Sequence, residues 1–190
     1  MSPRHNDARQ RVVAATAEML ARHGLNATSI REMAKRADAP LGSTYHHFPG
    51  GKQQVVVEAV KFAGAQVRAR LEHHLQAGAK AGLAGFLSMW RDVLLRSDFR
   101  LGCPVMAVAV EEPIDAVAEE ALAAAAAVFA DWEGLLANAL TNEGHEPESA
   151  AKLATLIVAS VEGAIVLCRA QRSIAPFDKV AERIEWAAGL

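Results

Sequence analysis

The sequence predicts an all-α fold, and three observations predict it. Alanine is heavily used and β-branched residues never alternate over a long run, which favours helices over strands. Apolar residues recur at helical spacing in one segment after another. Gly and Pro punctuate the gaps, at Gly24, Pro40, Pro49-Gly50-Gly51, Gly78, Pro113 and Pro176.

Asp7 to His23 is the first helix, with Val12, Ala15, Met19, Leu20 and His23 on one face and Gly24 as the residue just past its end. The stretch Thr28 to Lys52 follows and organises the chain. Ser29 precedes an apolar-periodic run and Glu32 comes three residues later, a capping-box start. Ile30, Met33, Ala34 and Ala37 give that helix a narrow buried face. Asp38 tolerates the left-handed backbone a tight turn needs. Pro40 suits the first turn of a short helix, Leu41 to His47, which needs partners to hold it. Pro49-Gly50-Gly51 ends it. Two short helices across a tight turn make a helix-turn-helix, whose second helix enters the major groove of DNA.

The connecting helix runs from Gly51 to about Ala77 and carries Val55, Val56, Ala59, Phe62 and Ala63. A helix near Leu83 to Arg96 places Phe86, Leu87, Trp90, Val93 and Leu94 at core spacing. Cys103-Pro104 opens a short helix to about Val110. Asp115 to Thr141, Glu148 to Arg172 and Phe177 to Ala188 complete the body.

At 190 residues, 52% of them hydrophobic, the chain can build a real core and is not disordered. It has no run of about 18 uncharged apolar residues, so no membrane span is expected. The start MSPRHNDARQ has no apolar signal segment, and Cys103 and Cys168 imply no disulfide framework, so the expected compartment is the cytoplasm. The net charge of −2 is divided unevenly. Residues 1–54 hold eight Lys and Arg against four Asp and Glu, a net of +4, and the remainder holds twelve against eighteen, a net of −6. A basic N-terminal part on an acidic body suits one end facing phosphate.

The residues ThrSerIleArgGluMetAla, then GlySerThrTyrHisHisPhe, then GlyGlyLys resemble the DNA-binding region of the TetR family of bacterial repressors. PheProGlyGlyLys is similar to its LmrA/YxaF-like branch. The resemblance is densest from about Arg11 to Val60 and continues through Gly102 to Val105 and Glu162 to Ala164. It implies a helix-turn-helix domain over residues 5–65 and a helical ligand-binding and dimerisation domain over 66–190. The implied partners are a double-stranded DNA operator, a small-molecule effector and a second copy of the chain, with no cofactor and no metal. The residues matching the family's DNA-binding part are Thr28, Ser29, Arg31, Leu41, Gly42, Ser43, Thr44, Tyr45, His46 and Lys52. Leu41 stands where relatives often have Lys. It loses a phosphate-binding charge and keeps a thymine-methyl contact. In the body, Phe86, Met89, Trp90, Met106, Phe129, Trp132 and Val166 are large apolar residues on different helices, most of them expected in the core, and the resemblance implies a small-molecule pocket that some of them would line. Leu156, Ala159, Ser160, Gly163 and Leu167 would lie in a four-helix dimer interface.

Other chemistry is weaker. Adjacent helical residues point about 100° apart, so His46-His47 and His73-His74 are poor chelates and Glu111-Glu112 is a poor acid/base pair. No Ser-His-Asp order, phosphate loop or HExxH helix is present, and no enzyme is expected. Cys103 reads as a small buried residue, with a thiol sensor at a helix start as its alternative. The rival to a DNA-binding regulator is a helical binding protein or enzyme that keeps the fold without an operator.

Overall fold

The computed structural model describes residues 3–26, 28–112 and 116–189, and among these it has nine helices and no strand. They are α1 (Pro3–His23), α2 (Ile30–Arg36), α3 (Leu41–His47), α4 (Gly51–Leu75), α5 (Ala79–Arg96), α6 (Pro104–Ala109), α7 (Ala116–Asn142), α8 (Pro147–Gln171) and α9 (Ala175–Ala188). The expected break at Pro113 and the expected helix start at Asp115 lie outside the described residues.

The chain divides into two compact units. The first comprises residues 1–65 and 103–128, the second 66–102 and 129–190. Helices α4 and α7 each begin in the first unit and end in the second. In the first unit α1 packs on α2, α3 and α6. Its core is built from Val12, Leu20, Met33, Phe48, Val55, Val56 and Val105, each at most 1% exposed. The short α6, in the chain's second half, therefore belongs with the N-terminal helices.

In the second unit α8 packs on α9 and α5, and α5 also meets α9. Its core includes Leu71, Leu83, Phe86, Trp90, Trp132, Ile157, Ile165 and Phe177. Arg68 pairs with Asp131 and Glu72, Arg91 pairs with Asp178 at 2.9 Å, and all of these groups are substantially exposed. Exposed pairs of this kind add little stability, so packing holds the unit.

Helix α8 is apolar enough to cross a membrane by length and composition alone, with a mean hydropathy of 1.9 over 18 residues. It carries Lys152 and Glu162, which is why the sequence shows no uncharged run. Its buried side, with Ala150, Ala154, Ile157, Val161, Ala164 and Ile165, is that of a core helix of this unit.

Candidate nucleic-acid interface

The turn between α2 and α3 is built as its residues dictate. Ser29 caps α2, its Oγ accepting the Glu32 N–H at 3.2 Å. Met33, Ala34 and Ala37 are buried beneath. Asp38 adopts φ +49°, the left-handed conformation such a turn demands. Pro40 sits just before α3 as its N-cap, one residue earlier than expected, and its carbonyl accepts the Thr44 N–H at 3.0 Å. Gly51, at φ +67°, starts α4.

Helix α3 has two faces. Thr44 and Phe48, four residues apart, are both 0% exposed. Gly42, Tyr45 and His46 fall at i, i+3 and i+4 and are exposed, Tyr45 by 52%. A Cβ at Gly42 would meet nothing within 4 Å, so the backbone there is open to a surface pressed against it. Leu41 and Ser43 are half-buried at the margin of this face. On α2, Arg31 is exposed, and so is Lys35 one turn further on. Lys35 adds a cation to the expected DNA-binding residues, and its four-residue spacing from Arg31 is legible in the sequence.

Three of the candidate DNA-binding residues are placed differently from expectation. Thr44 does not reach the surface. Its Oγ1 donates to the Pro40 carbonyl at 3.1 Å, so it holds the first turn of α3. Thr28 is 4% exposed and donates to the Leu25 carbonyl at 2.6 Å, closing the loop before α2. Lys52 turns its ammonium inward to the Leu25 carbonyl at 3.0 Å. Burial pushes its pKa down, and the nearby Glu111 carboxylate partly opposes that shift. Glu111 in turn accepts a hydrogen bond from Asn26 Nδ2 at 2.8 Å. A chain reversal brought these groups together, which the spacing of Lys52 along α4 could not reveal.

Lys52→Ala is therefore expected to lower stability while leaving the salt slope of DNA binding nearly unchanged. A phosphate contact would contribute a slope of about 0.9 per subunit. Anisotropy titrations of one duplex at several salt concentrations measure this directly, and a slope reduced by about one per subunit would return Lys52 to the phosphates.

In the second unit, the expected pocket residues gather in part. Phe86, Trp90 and Phe129 all meet Trp132 edge-on, with ring centroids 6.3, 6.5 and 5.6 Å away. Trp132 and Trp90 are 0% and 3% exposed. Met89, on the same helix as Phe86 and Trp90, is half-buried. Val166 is a correction. It is 46% exposed and three residues from exposed Gly163, which puts it on the outer stripe of α8 rather than in the core. Met106 is half-buried on α6, in the first unit.

Residues 12–59 match the family described as bacterial regulatory proteins, tetR family. Residues 79–183 match the C-terminal domain of LmrA/YxaF-like transcriptional regulators. An HTH-type transcriptional regulator of Mycobacterium tuberculosis is 38% identical over 175 residues, covering 90% of this chain and 89% of that one. The chain belongs to the TetR family of transcriptional regulators. Within it, the HTH-type transcriptional regulator LmrA of Bacillus subtilis is 26% identical over 179 residues, covering 90% of this chain and 92% of LmrA. The fold is that of the regulatory protein TetR from Rhodobacter sphaeroides, with a TM-score of 0.83 at 23% identity over 95% of this chain and 98% of that one. The helix-turn-helix of α2 and α3 lies within the matched N-terminal region and is the DNA-binding part of the regulator.

Proposed function

We propose that this regulator is a cytoplasmic repressor that binds a palindromic operator as a homodimer and is released by a small apolar or aromatic effector. The observation that carries the operator reading is the exposed face of α3, with Gly42, Tyr45 and His46, together with Arg31 and Lys35 exposed on α2. Small and polar groups on such a face suit close backbone approach and hydrogen bonds to phosphate and base edges.

Dimerisation is supported by the outer stripe of α8. Leu156, Ala159, Gly163, Val166 and Leu167 are all exposed, three of them large and apolar, and Ser160 is half-buried beside them. A groove of about 240 Å³ between α8 and α9 continues it, with Leu153, Val180 and Ile184 as its apolar lining. An apolar stripe of this extent marks an interaction surface. In sequence terms residues 5–65 are the reading part and 66–190 the effector and dimer part, with α6 and the start of α7 grouped with the reading part in space.

The effector reading is supported by the aromatic cluster around Trp132 and by Trp90, whose buried indole Nε1 has no hydrogen-bond acceptor among the described residues. A donor so placed is costly to leave unpaired, and a planar ligand with an oxygen acceptor would satisfy it. The effector acts only by preferring one spacing of the two reading heads over another. A coupling of about 1–3 kcal/mol would lower operator affinity about 5- to 150-fold, and operator would weaken effector binding by the same factor. The test is a panel of aromatic, cationic and flavonoid-like compounds scored by tryptophan quenching and by operator release. Trp90→Phe is expected to weaken an acceptor-bearing effector about tenfold, the scale of one hydrogen bond. Binders whose affinity ignores operator would remove the switch from this account.

A further inference from the structure

Helix α1 grips the helix-turn-helix through side chains that no part of the DNA surface explains. Arg11 Nε donates to the Ala37 carbonyl at 3.2 Å, at the end of α2. Arg9 acts at the end of α3. Its guanidinium lies over the ring of Phe48, 5.3 Å from the centroid, and Phe48 is the residue that caps α3. The same guanidinium meets Glu58 Oε2 on α4 at 2.6 Å. The other oxygen, Glu58 Oε1, accepts from Gln54 Nε2 at 3.2 Å. Gln54 Oε1 accepts the Gly50 N–H at 3.0 Å. One unbroken path thus joins α1, the residue that ends α3, the turn after it and the first two turns of α4.

We propose that Glu58 is a positioning residue for operator recognition: with Arg9 and Gln54 it clamps the Phe48–Gly51 turn and so sets the angle at which α3 meets the groove. Three features of the path favour this role over a plain surface ion pair. Glu58 uses each carboxylate oxygen for a different partner, and its side chain is only 22% exposed. Gly50 and Gly51 leave the turn without side chains to brace it, and Gly51 sits at φ +67°. Helix α3 has seven residues, too few to hold its own direction, so its ends must be fixed from outside.

Replacing Glu58 by Gln separates positioning from charge. An amide keeps one acceptor oxygen, so either Arg9 or Gln54 loses its partner. Electrostatics alone would make Glu58→Gln bind every duplex more tightly, because a negative charge leaves the basic reading part. Positioning predicts the opposite for the operator. The probes are the duplex that the unmodified protein selects from a random pool and an unselected duplex of equal length. Glu58→Gln is expected to bind the selected duplex about tenfold more weakly and the unselected one as well as before or better. Gln54→Ala, which changes no charge, is expected to lose affinity for the selected duplex only. It carries the test should Glu58→Gln fail to fold by circular dichroism. Arg9→Gln combined with Glu58→Gln should be no worse than the worse single variant. Equal gains or equal losses on both duplexes, or additive effects in the double variant, would overturn the proposal. Failure of the unmodified protein to select any duplex would instead count against the operator reading.

Discussion

Phe48→Ala is expected to cost the reading unit about 3–5 kcal/mol and to abolish operator binding. Phe48 is 0% exposed, its backbone N–H bonds to the Thr44 carbonyl at 2.9 Å, and its ring lies under the Arg9 guanidinium. Removing the ring opens a cavity where α3 ends. Domains have only about 5–15 kcal/mol of stability in all, so a loss of this size is a large share of it. Urea unfolding followed by circular dichroism measures the loss, and anisotropy measures binding. Tyr45→Ala is the matching control. Tyr45 is 52% exposed, so its removal should leave stability within about 0.5 kcal/mol while weakening DNA binding. Equal stability losses in the two variants would contradict the division of α3 into a core face and an outer face.

If the proposed dimer forms through α8, Gly163→Trp is expected to leave a monomer at micromolar concentration, with operator affinity falling by at least a hundredfold. The position isolates the interface. A Cβ built at Gly163 meets nothing within 4 Å in its own chain, and the residue is exposed. A side chain there starts from open space in its own chain, so a change in mass by sedimentation with an unchanged circular-dichroism spectrum points to a lost partner contact. Gly163→Ala sharpens the point. On an exposed helix interior alanine stabilises by about 0.5–1 kcal/mol relative to glycine. In a dimer that packs closely on this stripe, the added methyl would instead weaken association. A Gly163→Trp protein that stayed dimeric would place the interface elsewhere.

The fold was legible in the sequence because its signals are local. Ser29 with Glu32, Asp38 and Pro49-Gly50-Gly51 mark caps and turns by the backbone conformations they favour, and α2, α3 and the start of α4 appear where those residues put them. The aromatic residues at helical spacing in α5 are buried as their period requires. The directions of individual side chains were less legible. Thr44 and Tyr45 are adjacent polar residues on one short helix, and only the packing of α3 on α1 and α2 decides which of them faces inward. Lys52 looked like a free cation until the loop holding Leu25 supplied a carbonyl. Val166 is apolar, which suggests core, yet like Leu156 and Leu167 it is about half exposed on α8. The grouping of α6 with α1 joins residues about ninety positions apart, which no local pattern encodes.

The most direct test of a dimeric, operator-reading regulator is selection of bound sites from a random pool of duplex DNA, followed by a salt titration on the winner. The account predicts an imperfect palindrome whose half-sites lie about one helical turn, roughly 34–36 Å, or a multiple apart, since a two-fold dimer presents α3 twice. It also predicts a steep fall of affinity with salt, because Arg31, Lys35 and their counterparts displace counterions from phosphate. Recovery of a single unrepeated half-site, or of no enriched sequence at all, would contradict it.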